Sequence, residues 1–496
     1  NKNKLAKIER SGVSNCPNSS VSTTYDSNGY ISSSTDWNGN TTEYTRDATG
    51  KVTQQITGIK GTDRSRITTI KYQWAPASNL LSKIERYGSY NSINNQPIDE
   101  VVYEYYPVTH LAKYRIKSVK QCSKQNTTIC SITGYGYTFH SNGMLKDVAI
   151  NNNGKTTTYN YDAVGDLTQT RNALGHITSY SNYNGLGQAG KITDANGLVT
   201  EFTYDARGRI TIEKEILASN QVRTTTYQYG AFGVTQIERN GMRETINYND
   251  NGTIASITHG VGNSITSGQY FTYSKLGKLL TIEYREGNNV RYSQANEHNQ
   301  LGWTTADKGN NSQNIRYNYD ANGNLIKKTD SLNKATTYQY DVFNQLNTQV
   351  NPDGNTIEYR YGGANELRFV KDARGTTTAY SYDGFGNLIM QSSQDTGVSS
   401  YEYDQNSNLI KLTRANNVVT TYTYDALNRR TKAQTGNEIQ TWTYDNCTNG
   451  KGRLCAISDG ITSKSYSYTK DGQLSVQITK TDGVSYPVYW TYDEYR

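Results

Sequence analysis

A chain of 496 residues with 34% hydrophobic residues and a mean hydropathy of −0.80 has no apolar run long enough to span a bilayer. Its aliphatic content alone would suggest disorder. Its 43 tyrosines against 7 phenylalanines reverse that expectation, because a tyrosine ring buries a large apolar area while its hydroxyl keeps a polar partner. The net charge of +7 comes from 51 Lys and Arg interleaved with 44 Asp and Glu. No basic stripe results, which argues against a nucleic-acid partner.

The chain begins at Asn1 rather than Met, with no signal peptide ahead of it, and reads as a processed product or an excised piece of a longer polypeptide. Tyr25-Asp26 is the first instance of a pairing that recurs to the far end. Lys60, Arg64 and Arg66 are the nearest approach to a basic cluster and read as a solvated loop. Residues 60–135, with Trp74, Pro76, Pro97 and Pro107, are the least regular stretch and predict a loop-decorated portion. The whole of 1–496 otherwise reads as a single repeat domain.

Cys122 and Cys130 stand eight residues apart, as do Cys447 and Cys455, each pair bracketing a polar stretch suited to a hairpin tip. Both pairs are candidate disulfides, which implies an oxidising compartment. Cys16 has no evident mate.

From residue 317 to 424 the repeat is strict. Tyr319, Tyr340, Tyr361, Tyr382, Tyr403 and Tyr424 fall at intervals of 21, and a second column two residues earlier runs from Tyr317 to Tyr422. Six residues after the first column stand Leu325, Leu346, Leu367, Leu388 and Leu409. Asp follows the tyrosine at 320, 341, 383, 404 and 425, with Gly362 as the exception, and Gly, Asn or Ser sits between tyrosine and leucine. Tyr161-Asp162, Tyr183 and Tyr204-Asp205 continue the pattern upstream, and Tyr444-Asp445, Tyr468 and Tyr492-Asp493 downstream.

These columns dictate geometry. Tyr-x-Tyr puts both rings on one face of a strand, Asp and a residue tolerating positive φ make a tight turn, and the leucine begins the returning strand. Each unit is one β-hairpin, with leucine set beside tyrosine across the strands. About 24 units would give roughly 45 strands and, at about 4.8 Å per strand, a ribbon some 200 Å wide. Sheets that long curl rather than stay flat. The fold class predicted is all-β, a long antiparallel sheet of hairpins spiralling into a hollow or barrel-like wall, with stability distributed over neighbouring units.

Catalytic chemistry is not signalled. His110, His140, His176, His259 and His298 stand singly and read as surface or loop histidines, with no HExxH, GxSxG or CxxC. Asp320 to Asn324 has the start of a calcium loop, but Ser331 stands where the loop needs a bidentate Glu. The expectation is no enzyme, no catalytic residue, no cofactor and no metal. The periodic tyrosines read as packing residues, because packing demands equivalence at every unit whereas a binding site needs one place.

The phrases YDANGNL (319–325), YDGFGNL (382–388), YDAVGDL (161–167) and YDARGRI (204–210) resemble the YD repeat of the Rhs family, and YDNCTNGKGRLC (444–455) resembles its cysteine-containing variant. The family includes bacterial polymorphic toxins, shell components of insecticidal Tc toxin complexes and animal teneurins. The resemblance implies a β-sheet cocoon and, in bacterial members, encapsulation of a toxic C-terminal domain for delivery. No Asp-Pro dipeptide occurs, so the cleavage region of bacterial shells is not matched here. Expected partners are an enclosed toxin domain or other parts of the parent polypeptide, and a secretion-system component. A secreted or cell-surface bacterial protein acting in interbacterial competition is expected. The rival is an extracellular adhesive or carbohydrate-binding scaffold, with exposed Tyr and Trp as sugar platforms.

Overall fold

The computed structural model describes residues 4–10, 19–88, 96–124, 129–218, 221–262, 264–310 and 312–492. Asn1, Cys16 and Asp493 lie outside them. Among the described residues there is no helix, and 42 strands form one sheet. Every strand pairs antiparallel with the strand before it and the strand after it in the chain, from Lys7–Arg10 to Val484–Tyr489. The sheet is an open meander.

Local sequence explains the turns. Asp320 accepts the N–H groups of Asn322 and Asn324 on Oδ1, at 2.9 Å each, and its own carbonyl accepts the N–H of Gly323. Gly323 then takes φ +92°, and Asn344, Asn365, Gly386, Ser407 and Asn428 take φ of +60 to +85° at the same place. This is a type I turn closed by a bulge residue in the left-handed region, which favours Gly and Asn. The ladder shifts register at the same point, so Tyr319 pairs with Leu325 and Tyr340 with Leu346. Gly362, which breaks the Asp column, is compensated four residues on, where Glu366 accepts the N–H of Ala364 at 2.9 Å.

The turn after each tyrosine strand lies on one edge of the sheet, here the YD edge, and the turn after each leucine strand lies on the opposite, connecting edge. The two edges meet. Asn38, in the connecting turn before Asn40–Arg46, bonds Asp320 and Asn322 in the YD turn after Asn314–Tyr319. Those are the fourth and twenty-sixth strands, so one circuit takes 22 strands and the chain makes nearly two. At about 4.8 Å per strand a circuit measures about 105 Å, a coil about 35 Å across.

The wall is one layer thick. Among the described residues the buried hydrophobics are Ile59, Ile98, Ala112, Cys122, Ala306, Ala321 and Cys455, and most tyrosines are half-buried. The accessible surface is 28294 Å², against about 18,000 Å² for a compact monomer of this mass. A second packed layer would have removed most of that excess.

Candidate functional site

The feature with functional content is the wall itself, built from two devices. One holds neighbouring hairpins together and the other joins the two circuits.

The first device is the tyrosine column. Ladder pairing between the strand starting at Leu325 and the next tyrosine strand covers only Lys327 to Thr329 against Ala335 to Thr337, so at the YD edge adjacent hairpins splay apart. The carbonyl of Leu325 is thereby left without a ladder partner, and the Tyr340 hydroxyl donates to it at 2.9 Å. Tyr361 does the same for Leu346 at 2.9 Å, Tyr424 for Leu409 at 2.8 Å and Tyr319 for Thr304 at 2.7 Å. Outside the strict block, Tyr204 caps Ala189, Tyr248 caps Val234 and Tyr468 caps Leu454. A phenylalanine ring would fill the same space and leave the carbonyl bare, which accounts for the preference for tyrosine. Tyr382, Tyr403, Leu367 and Leu388 occupy the same strand positions.

Burial pushes up the hydroxyls of Tyr319, Tyr340, Tyr361 and Tyr424. Tyr317 is pushed up to about 12 by burial and then by its bond to Asp307, and Tyr227 to about 12 by burial and then by Glu213. A phenol with a raised pKa stabilises the fold fully below its unfolded value of about 10, and that contribution disappears as the pH climbs through the folded value. The wall is therefore expected to lose its strand circular dichroism between about pH 10 and pH 12, together with late tyrosinate ionisation. Ionisation of every tyrosine near pH 10 with the strand signal intact would contradict this.

The second device is the seam. Its clearest contact is reciprocal, between the turns Asp36-Trp37-Asn38-Gly39-Asn40 and Asp320-Ala321-Asn322-Gly323-Asn324. Asn38 Nδ2 donates to Asp320 at 2.9 Å, and Asn322 Nδ2 donates to Asp36 at 2.9 Å. Beside it the Arg10 guanidinium lies 4.0 Å from the centre of the Trp37 ring and donates to the Ala321 carbonyl.

Further along, Arg66 pairs with Asp341 and donates to Gln345 at 2.7 Å. Thr68 donates to the Gly363 carbonyl at 2.7 Å, and Gly363 lies so close to Gly88 that a Cβ on either would overlap the other's backbone. The Ser123 hydroxyl then accepts the N–H of Gly384 at 2.7 Å in a fully buried contact. Asn153 reaches Gln405 and Asn406, Lys155 reaches Asn428, and Asn196 and Lys451 exchange two bonds of 2.9 and 3.0 Å. The described seam ends at Arg223, which bridges Glu215 at 2.7 Å and Asp471 at 2.8 Å.

One sequence expectation needs correction, and one histidine read as a loop residue has a further contact. Arg66 is a cross-circuit clamp rather than part of a solvated loop, because Asp341 of the second circuit stands against it. The His176 side chain is only 13% exposed and lies 3.6 Å from Asp445, which Arg429 also holds; it sits in a turn but faces the seam. Burial raises the Asp445 carboxyl, but its bonds to Arg429 and the Gly452 N–H outweigh this and hold it below the usual carboxylate range.

The structure joins Cys122 to Cys130 and Cys447 to Cys455. No group of three or more His, Cys, Asp or Glu among the described residues is arranged to hold a metal ion, and no described helix is long and apolar enough to cross a membrane. The sequence does not say which seam residues stand against one another. The only local hint is that DWNGN at 36–40 and DANGN at 320–324 share a pattern.

The RHS Repeat family model matches residues 139–180, 183–215, 319–356 and 403–438, and these four segments carry Rhs repeats. No curated protein matches it. Among solved structures it is similar to a chain of the TcdB2-TccC3-Cdc42 crystal structure, with a TM-score of 0.52 and 14% identity over 96% of this chain and 32% of that one. It is also similar to a chain of a Photorhabdus luminescens Tc holotoxin pore, with a TM-score of 0.50 and 13% identity over 96% of this chain and 31% of that one. The likeness is one of fold, and the chain spans about a third of the length of the solved chains it matches.

Proposed function

We propose that this Rhs-repeat chain is wall: a segment of a secreted bacterial toxin shell that encloses a toxic cargo carried by the same parent polypeptide. The observation that carries the reading is the seam, because a repeat sheet used only as a scaffold or adhesive surface has no need to bring its two opposite edges together along most of a circuit. The one-layer wall, with half again the surface of a compact protein, is what enclosure of a volume requires. The Tc toxin chains that share the fold support the same use. The wall's own part is mechanical rather than enzymatic: it excludes proteases and solvent from what it surrounds.

Electron cryomicroscopy of the full-length parent tests this. A closed hollow with density inside is the expected result, and a solid particle or an open fibre overturns it. Saturable binding on a glycan array, lost on substituting a single exposed tyrosine or tryptophan, would favour a carbohydrate-binding scaffold instead.

A further inference from the structure

The two disulfides lie at opposite edges of the sheet, yet both lie on the seam. Cys122 is next to last in the strand Ile116–Ser123, which ends on the connecting edge of the first circuit. The residue after it, Ser123, is completely buried and accepts the Gly384 N–H from the second circuit. Cys447 and Cys455 instead close an enlarged YD turn of the second circuit. Inside that loop Lys451 exchanges two hydrogen bonds with Asn196 of the first circuit. Gly450, just before Lys451, packs so tightly on the bridge that a Cβ there would overlap both sulfurs. Each bridge therefore fixes backbone beside a cross-circuit contact, and the loop that Cys447 and Cys455 close is longer than the five-residue YD turn of the strict block.

We infer that the two bridges are a thiol-sensitive latch on the seam. Each joins a buried cysteine, Cys122 or Cys455, to a half-buried one, Cys130 or Cys447. The sulfur of the half-buried cysteine is the point of attack. A thiolate of a dithiol reductant bonds to it, the S–S bond breaks, and the sulfur of the buried cysteine leaves as a thiolate that takes a proton. The reductant's second thiol then displaces the mixed disulfide, so the reductant ends as a disulfide and each bridge as two thiols. Freed of the bridge, the loop regains the conformational freedom that the cross-link had removed, and the Gly384 and Lys451 contacts open more often. A wall assembled in an oxidising compartment would thus loosen where its circuits meet on entering a reducing one. That use rests on the shell reading, whereas the latch is a property of the seam alone.

Amide hydrogen exchange of the intact chain, read by mass spectrometry with and without dithiothreitol, tests the latch, with thiol alkylation reporting that both bridges have opened. Exchange at Gly384 and Lys451 is expected to accelerate tenfold or more, while strands away from the seam such as Met242–Tyr248 keep their protection. The paired variants Cys122→Ala with Cys130→Ala, and Cys447→Ala with Cys455→Ala, should each reproduce the change at their own contact only. Unchanged exchange in the alkylated protein overturns the latch, as does loss of protection throughout the sheet, or bridges that resist the reductant until the chain unfolds. Enclosed density is absent from this readout, so a failed shell reading and a failed latch give different results.

Discussion

Replacing Tyr319, Tyr340, Tyr361 and Tyr424 together by phenylalanine is expected to destabilise the chain by about 4 to 6 kcal/mol, at about 1 to 1.5 kcal/mol for each carbonyl left without its donor. Each hydroxyl donates to the backbone of the preceding hairpin at 2.7 to 2.9 Å. The sites do not share partners, so their effects should add. The matching control is the second column, Tyr338, Tyr359, Tyr380 and Tyr401, whose hydroxyls bond no described residue and whose change to phenylalanine should cost little. Urea midpoints for the two quadruple variants decide the matter. Equal losses would mean that ring packing alone holds the hairpins and that the hydroxyl is incidental.

The second large effect is expected at the end of the seam. Arg223→Ala should cost about 3 to 5 kcal/mol, because it leaves carboxylates buried without their counter-charge. The Asp471 side chain is 7% exposed and the Glu215 side chain 17%. Burial raises the Asp471 carboxyl, but the Thr469 hydroxyl and Arg223 outweigh it and hold the group below the usual carboxylate range. Its contribution is therefore present at neutral pH and is lost as the pH falls through that lowered value. Arg223→Ala should remove this part of the acid dependence as well as the stability, and Arg223→Lys should restore some of both. A variant as stable as the parent at neutral pH would show that the last seam contact is ornamental.

The hairpin was readable in the sequence because it is local. Tyr, Asp, Gly or Asn, and Leu lie within seven residues of one another, and period-two alternation with turn chemistry fixes what they build. Curling also followed from strand count alone. The seam was not readable, since its partners lie some 250 to 310 residues apart, as with Arg223 and Asp471 or Arg10 and Ala321. Nothing in a turn says which other turn one circuit away will stand against it. Arg66 illustrates the difficulty, because among neighbours in sequence it has the look of a solvated charge. The expectation of stability spread over neighbouring units also has to be widened. Each hairpin of the second circuit leans on a hairpin of the first, so unfolding one circuit removes support from the other. The hydroxyl caps were within reach of the sequence, since 43 tyrosines against 7 phenylalanines is an imbalance that packing alone does not explain.

Pulsed dipolar distances between paired spin labels test the coiled wall most directly. Labels at Lys155 with Asn428, and at Arg10 with Ala321, sit across the seam, in hydrogen-bond contact in the structure, with Cys16 replaced by serine. A two-circuit wall predicts short, narrow distance distributions for both pairs at once. In an uncoiled ribbon the same pairs would stand about 100 Å apart, and broad distributions beyond the measurable range would contradict the coil.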